Sequence, residues 1–179
     1  MKLNSNVVLK VLKVLTWAGF IGICIKAGSL LFSYLISMFV NSIGAKNLYM
    51  GLDLSQLKMQ SNYEYSVLVF LVISIFTLQA YMFYILLQIF KNFGLFGSFH
   101  KKIGKLILKL SLFSIIIGIL SKLTYKFSSS LINSGLNFPN LVEHICLGDA
   151  FVFFAGILFF ISVIYKNGIA LQNENDLTI

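Results

Sequence analysis

The chain has 179 residues, of which 58% are hydrophobic and only 11% are charged. This composition is typical of a membrane protein and argues against a soluble one. The formal net charge is +8, and all 14 basic residues are lysines. Because the lysines cluster at the ends of apolar segments, membrane orientation explains the charge better than nucleic-acid binding does.

The first apolar segment covers residues 14–40 and follows a basic start. It is longer than the apolar core of a signal peptide and contains Lys26, so we expect an uncleaved first span. A polar connection over residues 41–64 leads to a second predicted span at 65–90, which contains no charged residue. Both segments are long enough to cross a bilayer as helices.

The third predicted span covers residues 103–125 and begins in a basic segment. Its lysines alternate with apolar residues at helical spacing, so we expect a helix that starts along the inner leaflet, with Ser98 as a candidate N-cap. Two interpretations of these lysines are a solvated helix end and contacts with anionic lipid headgroups. The lysines concerned are Lys101, Lys102, Lys105 and Lys109. A fourth span is predicted at 145–165, followed by a tail at 166–179.

The distribution of lysines predicts the orientation of the chain. If the N-terminus lies inside, nine lysines face the cytoplasm and four face outward. The positive-inside rule then places both termini in the cytoplasm. The sequence therefore predicts an all-α fold: a single transmembrane domain over residues 1–179, forming an integral membrane four-helix bundle with short loops. Its expected location is a plasma membrane.

Lys26 lies within an otherwise uncharged apolar span. An ionisable side chain at that depth is costly and normally needs a partner of opposite charge. Asp149, about four residues into the fourth span, is the nearest candidate. We therefore predict an intramembrane ion pair between Lys26 and Asp149, with Glu64 and Glu143 as weaker alternatives.

Small and polar residues share one face of each predicted helix when residues are placed about 100° apart. Such faces let helices pack closely and hydrogen-bond to each other. A second interpretation is that the four faces enclose a polar cavity for a ligand or ion. The residues are Gly19, Gly22, Lys26, Ser29, Ser33 and Ser37 in the first span, Ser74, Thr77, Tyr81, Tyr84 and Gln88 in the second, Ser111, Ser114, Gly118, Ser121 and Tyr125 in the third, and Asp149 and Gly156 in the fourth.

The chain lacks a nucleophile motif, a glycine-rich phosphate loop and metal-ligand spacing. The predicted loops are also too short to hold a separate catalytic domain. We therefore expect a protein that is not an enzyme and that has no catalytic residues, cofactor or metal.

The last nine residues, LQNENDLTI at 171–179, form a more specific pattern. They follow the last apolar span, and this ending resembles the C-terminal motif of a bacterial membrane-protein family, domain of unknown function 2975 (DUF2975). Members resemble this chain in length, in having four spans and in having both termini inside. Many carry a Pro-Phe-Ser/Thr-x-Glu-Asn-like stretch before the third span. Here LFGSFH at 95–100 keeps the phenylalanine but lacks the proline and the acidic-amide pair, so no role is assigned to it.

The family has no established activity, but its members are often encoded beside a small helix-turn-helix DNA-binding protein. The resemblance thus implies a regulatory or signalling membrane partner of such a regulator, without direct contact with nucleic acid. The tail is the candidate docking peptide, through Leu171, Glu174, Asn175, Asp176, Leu177 and Ile179. The alternative function is transport or toxin immunity, with a small molecule or ion bound in a polar cavity around Lys26. The oligomeric state does not follow from the sequence.

Overall fold

The computed structural model describes residues 5–96, 100–138, 140, 141, 145 and 148–176. Its order is α1 (Ser5–Phe39), a 3-10 helix (Ser42–Lys46), α2 (Ser55–Gln60), α3 (Asn62–Phe96), α4 (Lys101–Asn133) and α5 (Gly148–Asp176). The long helices α1, α3, α4 and α5 alternate in direction, and each packs along the next one in the sequence. The predicted all-α fold with four long helices is confirmed.

Each long helix contains an apolar stretch sufficient to cross a membrane. The helices have 29 to 35 residues, whereas a span needs about 20. They are longer than the predicted spans because their polar ends continue the helical hydrogen bonding. The tail predicted to begin at residue 166 is helical through Asp176. The chain therefore has the architecture of a multi-pass membrane protein.

The lysines divide the bundle into two ends. At one end α1 and α4 begin and α3 and α5 finish, and we call it the lysine-rich end. Its described lysines are Lys10, Lys13, Lys91, Lys101, Lys102, Lys105, Lys109 and Lys166. At the opposite end the connection between α1 and α3 folds over the helices, and we call it the capped end.

The capped end is built from residues 41–61, which the sequence presented as a polar connection. Its leucines are fully buried: Leu48, Leu52, Leu54 and Leu57 are at most 1% exposed. Backbone hydrogen bonds hold the segment together, for example from Leu54 N to Ala45 O at 2.9 Å. A buried hydrogen bond of 2.5 Å between the Ser37 and Tyr65 hydroxyls joins α1 to α3 beneath it. The connection is thus a folded cap and not a loop.

The cap lies close against α1. An ideal Cβ placed on Gly44 would be 3.1 Å from Ser37 N and 3.2 Å from Ser33 O, which are backbone atoms. A side chain at this position would require these backbone atoms to move by a few tenths of an ångström. A tight turn at Met50 and Gly51, both with positive φ, then reverses the chain. The cap is therefore fixed by backbone contacts as well as by buried leucines.

The start of α4 differs from the predicted one. His100 is the N-cap, and its Nδ1 accepts a hydrogen bond from Lys102 N at 3.2 Å. Ser98, the predicted cap, lies outside the described residues. The His100 N–H donates to the Tyr165 hydroxyl at 3.1 Å, which ties the start of α4 to α5.

Candidate functional site

Lys26 packs against aromatic rings from two other elements. Its Nζ lies 4.2 Å from the centre of the Phe76 ring on α3 and 5.6 Å from the centre of the Tyr49 ring in the cap. A cation held over a ring face is stabilised by the ring quadrupole. Lys26 therefore joins α1 to α3 and to the cap.

Asp149 forms a salt bridge with Lys122, with 2.6 Å between Oδ1 and Nζ. The side chains are 90% and 56% exposed, respectively. Asp149 also lies in the first turn of α5, where the helix dipole favours a negative charge. The predicted ion pair between Lys26 and Asp149 is therefore wrong. Since α5 packs along α4, Lys122 is the lysine beside Asp149, while Lys26 faces α3 and the cap.

The polar face predicted for α4 is an interface. Ser111, Ser114 and Ser121 are at most 1% exposed, and Ser111 Oγ donates to Ala155 O on α5 at 2.9 Å. Gly118 approaches α5 so closely that an ideal Cβ there would lie 3.0 Å from Gly148 O. This face packs helices together, as the first interpretation proposed.

The polar faces predicted for α3 and α5 behave differently. On α3, Ser74 Oγ donates to Phe70 O and Thr77 Oγ1 to Ile73 O, both within their own helix. On α5 the Gly156 position has nothing within 4 Å of an ideal Cβ. Ser74, Thr77 and Gly156 therefore give no support to the second interpretation, in which the polar faces enclose a cavity. A hydroxyl in a helix can bond to the carbonyl four residues earlier, so its position does not require a facing helix.

The four lysines predicted to contact anionic lipid are distributed over three surfaces. Lys109 Nζ donates to the Tyr81 hydroxyl on α3 at 3.3 Å. Lys101 and Lys105 line a cleft of about 360 Å³ between α4 and α5, together with Lys166. Lys102 points to the other side of α4. One lysine-rich stretch in the sequence thus contributes to separate sites.

Lys102 belongs to a larger cleft of about 680 Å³ between α1, α3 and α4. Lys13 enters it from α1 and Lys91 from α3, so each of three helices contributes one ammonium group. Trp17 and Gln88 line the same cleft. In the sequence, Lys13 and Lys91 bear only on the orientation of the chain, because nothing there shows that α1 and α3 bring them together.

The first six residues of the predicted docking tail, 171–176, form the end of α5. Leu171 is 62% exposed, and Glu174 is exposed as well. The backbone of Asn175 and Asp176 is helical, whereas their side chains, Leu177 and Ile179 lie outside what the structure describes. Because Tyr165 contacts the start of α4, the eleven residues after it carry α5 about 16 Å past that point.

The arrangement places two lysine-lined clefts at the lysine-rich end and buried leucines beneath the cap at the other end, where a further cleft of about 460 Å³ lies beside Ser37 and Met59. Comparison with protein-family models, curated proteins and solved structures found no match to this chain. The resemblance of its C-terminal residues to DUF2975 therefore stays a prediction.

Proposed function

We propose that this protein is a non-enzymatic regulatory or signalling protein of a bacterial plasma membrane, which holds a soluble partner at its lysine-rich end. Both termini lie in the cytoplasm in this proposal. The partner is a small helix-turn-helix DNA-binding regulator, as the resemblance of the tail to DUF2975 suggests. The observation that carries the proposal is the exposure of the α5 side chains from residue 170 to Glu174, past the contact of Tyr165 with the start of α4.

The projecting part of α5 suits a protein partner. From residue 170 to Glu174 every side chain is exposed, and Leu171 offers an apolar contact at 62% exposure. A helix that presents an apolar residue beside polar ones can enter a groove on a soluble domain. Lys166 and the lysines at the start of α4 stand at the base of this helix, so an acidic rim on the partner would be attracted there.

The number of lysines supports the orientation. Eight described lysines lie at the lysine-rich end, whereas Lys46, Lys58, Lys122 and Lys126 lie toward the capped end. Positive residues near span ends are retained on the cytoplasmic side. A projecting helix at that end would then be available to a cytoplasmic regulator.

The contacts of Lys26 do not favour the alternative of transport or toxin immunity. That function requires space for a ligand beside the ammonium group. The Phe76 ring lies 4.2 Å from Lys26 Nζ, and Tyr49 of the cap flanks it. The observed packing instead favours a role in holding α1, α3 and the cap together.

The genome sequence beside this chain is searched for a helix-turn-helix protein, and co-expression with it, followed by a detergent pull-down, tests the proposal. We expect the regulator to co-purify with the full chain and to be lost when residues 171–179 are deleted. The substitution Leu171→Glu should weaken capture at least tenfold, because it places a charge at the apolar contact.

Met59→Glu is the matched control, since Met59 is 80% exposed at the capped end. It should leave capture unchanged. Equal capture by the full chain and by the deletion variant would overturn the docking role of α5, and the lack of any neighbouring helix-turn-helix gene would count against the choice of partner.

A further inference from the structure

We infer that the cleft between α1, α3 and α4 binds the phosphate group of an anionic phospholipid. The lipid's acyl chains would lie against the apolar part of the same cleft. This site uses Lys13, Lys91 and Lys102, which are not part of the projecting end of α5. The inferred lipid site can therefore be tested independently of the proposed docking of a regulator.

The charge of the cleft calls for an anion. Lys13, Lys91 and Lys102 come from three helices and line one space of about 680 Å³. No acidic residue is among the described residues that line it. Three ammonium groups around one space repel each other, and a phosphate would neutralise part of that charge while accepting hydrogen bonds from them.

The order of side chains along the helices suits a lipid better than a free anion. Trp17 lies one helical turn from Lys13 toward the middle of the bundle, and Leu87 lies one turn from Lys91 in the same direction. Trp17 and Tyr84 are 48% and 46% exposed, so aromatic surface faces outward just inside the lysines. Tryptophan and tyrosine in this position are typical of the headgroup level of a membrane. The cleft thus offers positive charge at its mouth and apolar surface farther in.

The shape of the α1–α3 contact explains why the cleft is open. Gly19 and Phe83 form a close contact, because an ideal Cβ on Gly19 would lie 2.5 Å from Phe83 Cε1. Nearer the lysine-rich end, all α1 residues from 10 to 15 are exposed, and Thr16, which follows them, is buried. The helices therefore meet at Gly19 and leave room between Trp17 and Gln88 for a ligand.

The smaller cleft between α4 and α5 gives an internal comparison. It also has three lysines, Lys101, Lys105 and Lys166, but its volume is about 360 Å³. The larger cleft adds the amide side chains of Gln88 and Asn92, which can donate hydrogen bonds to phosphate or glycerol oxygens. Two sites with equal lysine number and different surroundings allow specific binding to be separated from general attraction to a charged membrane.

Trp17 is the only tryptophan of the chain and lies in the cleft, so its fluorescence reports on the site. The full-length protein is reconstituted in phosphatidylcholine vesicles that contain a small fraction of brominated lipid, which quenches tryptophan on contact. We expect brominated phosphatidylglycerol to quench Trp17 at an apparent concentration at least tenfold lower than brominated phosphatidylcholine does. Equal quenching by the two lipids would overturn the inference.

Lysine variants test the placement of the headgroup. Lys13→Gln and Lys91→Gln should each reduce the preference for phosphatidylglycerol about fivefold, the effect of one lysine near a membrane surface. Lys105→Gln removes the same charge from the same end but from the other cleft, and it should leave Trp17 quenching unchanged. An equal loss in Lys105→Gln and Lys91→Gln would overturn a specific site in favour of general surface charge.

Inorganic phosphate distinguishes the two possible sources of the anion. In detergent without phospholipid, millimolar phosphate should leave the Trp17 emission unchanged, since the apolar part of the cleft would contribute nothing to binding. A saturable phosphate-dependent change, abolished in Lys91→Gln, would overturn the assignment to lipid and identify a soluble phosphate ligand. Size-exclusion chromatography of each variant verifies that it is folded, and the wild-type lipid comparison does not depend on any variant.

Discussion

At the capped end, four fully buried leucines pack beneath the connection between α1 and α3, and a cleft of about 460 Å³ lies beside Ser37 and Met59. At the lysine-rich end, a cleft of about 680 Å³ separates the same two helices. Burial of apolar side chains stabilises a fold. An open cleft lacks that burial but offers space for a ligand. We infer from this difference that the buried leucines of the capped end stabilise the bundle, whereas the three lysines around the cleft at the other end favour binding of an anion. Substitutions at the capped end should therefore change stability, and those at the lysine-rich end should change binding.

The largest expected effect is the loss of a buried leucine from the cap. Leu57→Ala should destabilise the protein by about 2–5 kcal/mol, because it leaves a cavity where the side chain was. We expect the apparent melting temperature in detergent, measured by size-exclusion chromatography after heating, to fall by about 10 °C. Met59→Ala in the same helix is the control, since Met59 is 80% exposed. Equal effects of the two substitutions would show that the cap is not packed as described.

The next effect concerns the close contact of α4 with α5. Gly118→Ala would place a methyl group 2.6 Å from Val152 Cγ2 and 3.0 Å from Gly148 O, so the backbones must move apart. Such overpacking costs about 1–3 kcal/mol, and the melting temperature should fall by about 5 °C. Gly156→Ala on α5 meets no atom within 4 Å and should be neutral. An unchanged melting temperature in Gly118→Ala would contradict the helix contact.

A smaller effect is expected at Lys26. A double-mutant cycle with Lys26→Met and Phe76→Leu should give a coupling energy of about 1 kcal/mol, since each substitution removes one partner of the cation–ring contact. Methionine keeps most of the apolar stem of lysine, so packing changes little. A coupling energy near zero, measured from the melting temperatures of the four proteins, would show that Lys26 does not stabilise the bundle through Phe76.

The smallest effect is expected at the exposed salt bridge. Asp149→Asn removes the carboxylate that pairs with Lys122, but both side chains are more than half exposed. Exposed ion pairs contribute about 0–1 kcal/mol because water screens them. The melting temperature should change by less than about 3 °C. A much larger loss would mean that this pair is shielded from water, as expected of an intramembrane ion pair.

The four long helices follow from the sequence because uninterrupted apolar runs of about 20 residues have few other stable structures. The cap could not be predicted in the same way. Its leucines at 48, 52, 54 and 57 follow no single period, since the segment passes from a 3-10 helix through a turn into α2. The surface residues Lys46, Asp53 and Lys58 gave the segment a polar character although its interior is apolar.

The sequence also could not predict which side chains contact each other across different helices. Asp149 and Lys26 have opposite charges and similar predicted depths in the membrane. The Asp149 carboxylate nevertheless pairs with Lys122 on the adjacent helix. The depth of Lys26 gave no sign that the cap folds back along α1 and brings Tyr49 to it. The cleft between α1, α3 and α4 was missed for the same reason, because its lysines are 11 to 89 residues apart in the sequence.

Side-specific labelling tests most directly the claim that the lysine-rich end is the cytoplasmic, partner-binding end. Single-cysteine proteins are made with Leu171→Cys or Met59→Cys in a background where Cys24 and Cys146 are replaced by serine. In intact cells a membrane-impermeant maleimide should label position 59 and leave position 171 unlabelled until the cells are opened. Labelling of position 171 in intact cells, with protection of position 59, would show that the lysine-rich end does not face the cytoplasm.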